Sequence, residues 1–73
     1  MKLWFENRYG DQRVIAECKT SEEVFTAINA FIRTCNKNRS APFISHYIRS
    51  WTEGEKTWYD VGSHSEFFFT TEK

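Results

Sequence analysis

Residues 43–61 read FISHYIRSWTEGEKTWYDV, two runs of β-branched and aromatic residues on either side of EGEK. Glycine supplies the positive φ that tight hairpins need, so a two-residue turn at Gly54-Glu55 is predicted between two strands. That turn sets the register. Trp51 falls opposite Trp58, and Arg49 falls opposite Asp60. Because side chains alternate along a strand, one side of this pair carries Ile44, Ile48, Tyr59 and Val61. Phe43, Tyr47, Arg49, Trp51, Trp58 and Asp60 take the other.

Working outward, residues 2–9 (KLWFENRY) alternate as a half-buried strand. Leu3, Phe5 and Tyr9 share one face, with Lys2, Trp4, Glu6 and Arg8 on the other. Gly10, Asp11 and Gln12 provide turn chemistry, and RVIAEC then resumes alternation with Val14, Ala16 and Cys18 on one side. In TSEEVFTAINAFIRTCNKNRS, Thr20 and Glu23 stand in capping-box spacing, which predicts a helix from Ser21. Val24, Ala27, Ile28, Phe31, Ile32 and Cys35 form its apolar stripe, with Phe25 at the margin. The stretch after Cys35 is polar and basic, and Pro42 cannot continue a helix, so the helix ends by about Asn38. A last strand, EFFFTT, follows the GSHS turn. The expected fold is a single small α+β domain over residues 1–73, an antiparallel sheet with one helix on one face, in the order ββαβββ.

One helix covers one face of a sheet, so the second face is polar or meets something else. Leu3 and Phe5 belong to the helix side, which sends Trp4 outward with Trp51 and Trp58. Three consecutive phenylalanines, Phe67 to Phe69, cannot all point one way. At least one joins the tryptophans. Three readings of such a face are open: cross-strand staples within a small sheet, a dimer interface, or a surface on which a ligand stacks.

Composition narrows the choices. Ten Lys and Arg balance ten Asp and Glu, and no basic block exists for gripping a nucleic-acid backbone. Nucleic acid is therefore disfavoured as a partner. There is no apolar run long enough to span a membrane and no signal-peptide pattern in MKLWFENRYG, so no membrane partner is expected. Cys18 and Cys35 lack metal-site spacing and read as small buried hydrophobes, with a bridge between them left open by the sequence. His46 and His64 have no ligand company and read as ordinary surface or sheet histidines. Ser63, His64, Ser65 and Glu66 in GSHSE are too close in sequence for triad geometry, and Gly62, Ser63 and Ser65 read as turn formers. With three glycines and no phosphate loop, no catalytic residue, metal or cofactor is expected, and the chain reads as a non-enzyme.

LWFENRYG at residues 3–10 and TWYDVGSHSEFF at 57–68 resemble a family of short uncharacterised proteins encoded by phages and prophages of Gram-positive bacteria. That resemblance implies a cytoplasmic setting in the bacterial host and a non-catalytic antagonist of host defence. Trp4, Arg8, Tyr47, Arg49, Trp51, Trp58 and Asp60 form the candidate binding surface. Stacking and guanidinium forks suit a small nucleotide-like ligand. Alternatives are inhibition of a host defence protein by docking, and single-stranded nucleic-acid binding. A homo-oligomer is expected, because a chain this short buries only roughly 60% of its unfolded surface.

Overall fold

The computed structural model describes residues 1–37, 49–61 and 65–72. These form one α-helix and a five-stranded antiparallel sheet. The elements run β1 (Lys2–Glu6), β2 (Gln12–Glu17), α1 (Ser21–Asn36), β3 (Arg49–Glu53), β4 (Lys56–Asp60) and β5 (Phe67–Thr71). In space the strands lie in the order β2-β1-β5-β4-β3. The last strand thus sits at the centre, joining two hairpins.

The helix begins where its cap dictates. Thr20 is extended, with φ −133° and ψ 163°, and its hydroxyl accepts from the Glu23 N–H at 3.2 Å. A cap of this type contributes about 1 kcal/mol. The Glu23 carboxylate reaches back to the Lys19 N–H rather than to that of Thr20. Val24, Ile28 and Ile32 are buried in one cluster with Leu3, Phe5, Cys18, Tyr59, Val61 and Phe68. Phe31 packs on Phe5 and Phe68 with ring centroids 4.8 and 5.6 Å apart, and Phe25 meets Tyr59 edge-on. The sheet residues of this cluster share one parity, so the helix stripe meets one side of the sheet.

The β3–β4 register follows the turn. Arg49 pairs with Asp60, Trp51 with Trp58 and Glu53 with Lys56. Gly54 has φ +61°, and no other residue of the turn has a positive φ. A single positive φ at the first central position is the type II′ arrangement, which matches the twist of the flanking strands.

The first hairpin departs from simple alternation. Leu3 pairs with Ala16 but Trp4 pairs with Val14, so Ile15 is an extra residue, a β-bulge. Ala16 and Cys18 stay with Leu3 on the helix side, as expected. Val14, expected beside them, lies instead opposite Trp4 on the other face. The strand also stops at Glu6, because Asn7 closes a loop. Its side-chain oxygen accepts from the Tyr9 and Asp11 N–H groups at 2.9 and 3.0 Å, and its N–H donates to the Asp11 carbonyl. Tyr9, predicted on the core face, is consequently 81% exposed in that loop.

Both cysteines are free thiols. Burial, then the neighbouring Glu23 carboxylate, pushes the Cys18 thiol above its ordinary pKa, which suits a packing role. Among the described residues no helix is long and apolar enough to cross a membrane. The proposed strand segment at Phe43, Ile44, Tyr47 and Ile48, His46 within it, and Gly62, Ser63 and His64 of the turn lie outside the described residues.

Candidate functional site: an aromatic row across the sheet

Strand pairing brings one residue from every strand into a single row. Val14 on β2 lies opposite Trp4 on β1, Trp4 opposite Phe69 on β5, Phe69 opposite Trp58 on β4, and Trp58 opposite Trp51 on β3. Phe68 belongs to the helix-side cluster, so Phe69, its neighbour in sequence, points to the opposite face. The whole row shares that face. All three tryptophans are on it, and so is Phe67, which makes edge-on contacts with Trp51 and Trp58 at 6.4 and 6.3 Å.

Phe69 is the centre of the row. Trp4 lies parallel to it at 5.7 Å and 5°, Trp58 is tilted against it at 4.8 Å, and the ring is only 1% exposed. Trp4, Trp51 and Trp58 keep part of their surface accessible. Two indoles are oriented by hydrogen bonds from their ring N–H: Trp4 donates to Thr71 Oγ1 at 3.0 Å, and Trp51 to Glu53 Oε1 at 3.1 Å. Each polar handle is thereby satisfied within the sheet, leaving the π faces to pack.

Charges stand at both ends of β3 and β4. Arg49 Nη2 donates to Asp60 Oδ2 at 3.1 Å; the Arg49 side chain is exposed and that of Asp60 mostly covered, and such a surface pair contributes less than about 1 kcal/mol. At the hairpin end, Lys56 Nζ lies 4.7 Å from the centroid of Phe69 and 5.8 Å from that of Trp58. An ammonium over an aromatic face is held by the ring quadrupole and still has donors for an anion. A cleft of about 600 Å³ opens beside it, with Trp4, Lys56, Thr57, Thr71 and Glu72 among its walls.

Of the residues predicted for the site, Trp4, Trp51 and Trp58 meet in the row, and Arg49 and Asp60 pair beside it. Arg8 does not join them. It stands exposed in the Asn7 loop, beyond the end of β1, because the strand it was assigned to ends two residues earlier. Tyr47 lies outside the described residues. At least one of Phe67 to Phe69 was expected on this face, and two of them, Phe67 and Phe69, are on it. Lys56 was not singled out from the sequence, although parity with Trp58 places it on the same face. Among the described residues no group of three or more His, Cys, Asp or Glu side chains could hold a metal. Compared with family models, curated proteins and solved structures, the chain matches none.

Proposed function

We propose that the protein is a non-enzymatic binding protein whose aromatic sheet face takes a small, planar, anionic ligand of nucleotide type. The observation that supports this reading best is the aromatic row with a cation seated on it. A base stacks on Trp58 or Trp4, and a phosphate takes the donors of Lys56, with the Arg49 guanidinium available at the far end of the strand pair. Zero formal net charge suits a compact ligand better than a long polyanion. In the phage setting that the sequence resemblance implies, such a protein acts by sequestering a nucleotide-derived signal from a host defence system.

Titration with a panel of linear and cyclic nucleotides, followed by tryptophan fluorescence and calorimetry, tests the proposal. Saturable quenching is expected, and Trp58→Ala should weaken binding about 5- to 150-fold, the loss of one stacked base. Lys56→Ala should weaken nucleotides and leave nucleosides little changed. No response to any member of the panel would end the small-ligand reading, and stoichiometric capture of a host protein instead would favour inhibition by docking.

A further inference from the structure

The two edges of the sheet are unlike. β2 is protected in the usual manner by a bulge at Ile15. β3 has none. It is a regular five-residue strand, RSWTE, without bulge, proline or lysine. All its residues but Trp51 are exposed, and no strand lies on its outer side among the described residues. We propose that this edge pairs antiparallel with β3 of a second copy, about a two-fold axis through Trp51, joining two five-stranded sheets into one.

The strand is self-complementary in that register. Centring on Trp51 sets Trp51 against Trp51 of the second copy, Ser50 against Thr52, and Arg49 against Glu53. Antiparallel neighbours share a face, so the charges extend into a ladder. Asp60 and Arg49 of one copy are followed by Glu53 and Lys56 of the other, alternating in sign across four strands, and the two-fold axis repeats the ladder on the far side of Trp51. Every step is an attraction.

Backbone geometry agrees with the same register. A two-residue turn makes Glu53 and Lys56 the closing hydrogen-bonded pair, and bonded pairs alternate along an antiparallel ladder. The N–H and C=O groups of Glu53, Trp51 and Arg49 therefore point toward β4, and those of Ser50 and Thr52 point to the open edge. Setting Ser50 against Thr52 of the second copy makes those groups a hydrogen-bonded pair, repeated by symmetry. Trp51 and the Arg49–Glu53 pairs occupy the non-bonded positions, where facing side chains come closest. The aromatic row then runs unbroken through both copies. A five-residue edge buries less than a standard interface, so the dissociation constant should fall at about 10 μM to 1 mM.

Sedimentation velocity across that concentration range is expected to show a monomer–dimer equilibrium. Arg49→Glu and Glu53→Arg each place like charges opposite one another twice, so each variant alone should associate about tenfold or more weakly than the wild type. Mixed together, the two variants restore both attractions and should form a heterodimer. In the wild type, amide exchange at Ser50 and Thr52 should slow as concentration rises. A wild type that stays monomeric, single variants that self-associate undiminished, or folded variants that ignore each other on mixing would overturn the proposal. If the charge variants do not fold, wild-type exchange decides: rates at Ser50 and Thr52 that are independent of concentration overturn it. The proposal does not depend on the ligand reading, since nucleotide titration of the wild type at concentrations where it is monomeric is scored separately.

Discussion

Phe68→Ala is expected to lower the stability of the fold by about 3–5 kcal/mol, the range for deleting a buried phenyl ring from a core. Phe68 is fully buried on β5, the central strand, and its ring contacts Phe5 at 5.2 Å and Phe31 of the helix at 5.6 Å. Nothing nearby is free to fill the gap, because β5 is held by β1 on one side and β4 on the other. At about 0.05–0.15 kcal/mol per residue, a chain of 73 residues has a total stability of about 4–11 kcal/mol. The loss is therefore a large fraction of the total, and the variant should melt well below the wild type. Urea denaturation followed by far-ultraviolet circular dichroism measures the loss. A change below about 1 kcal/mol would mean that Phe68 is not at the centre of the helix-side core.

Phe69→Ala, one residue on, should cost about 3 kcal/mol for a different reason. This ring is on the other face, and what it loses is contact with Trp4, Trp58 and the Lys56 ammonium. Its removal leaves a hole in the middle of the row, into which the two indoles can lean, so the cost should lie at the lower end for a phenyl ring. The helix-side cluster does not include Phe69, so helix content at low temperature should survive. The tryptophan emission should shift to longer wavelength and the near-ultraviolet circular dichroism should collapse. Phe69→Leu should recover about half of the stability while leaving the near-ultraviolet signal weak, because volume returns and ring stacking does not. Retention of both stability and the tryptophan signals in Phe69→Ala would show that the outer rings do not form a packed layer.

Neighbouring residues with separate roles explain why much of this fold was legible in the sequence. The Gly54 turn is local, and a two-residue connection leaves little freedom of register, so the Trp51–Trp58 and Arg49–Asp60 pairs followed directly. The helix was legible for the same reason: Thr20 and Glu23 mark its start and the apolar stripe its buried side. The failures lie where one residue more or less changes parity. Ile15 as a bulge carried Val14 to the tryptophan face, and nothing in RVIAEC signals that insertion, because every residue in it is compatible with a strand. Tyr9 and Arg8 went astray because alternation continues past Glu6 in the sequence while Asn7 turns the backbone.

The position of β5 between β1 and β4 is non-local, decided by which hairpin edges its phenylalanines can cover on both faces at once. No local signal carries that choice. Lys56 was legible in principle, two residues before Trp58 and hence on its face, but its seat over Phe69 depends on that same non-local placement of β5. The candidate surface was thus readable in its tryptophans, and its centre only to the extent that one of Phe67 to Phe69 had to join them.

Nuclear Overhauser contacts from the indole protons of selectively labelled tryptophan would show directly what the three rings touch. The sheet geometry predicts contacts from Trp4 and Trp58 to Phe69, and from Trp51 and Trp58 to Phe67, with none to Val24, Ile28 or Ile32. Strong contacts between any indole and those three helix residues would place the tryptophans in the helix-side core and contradict a second aromatic layer.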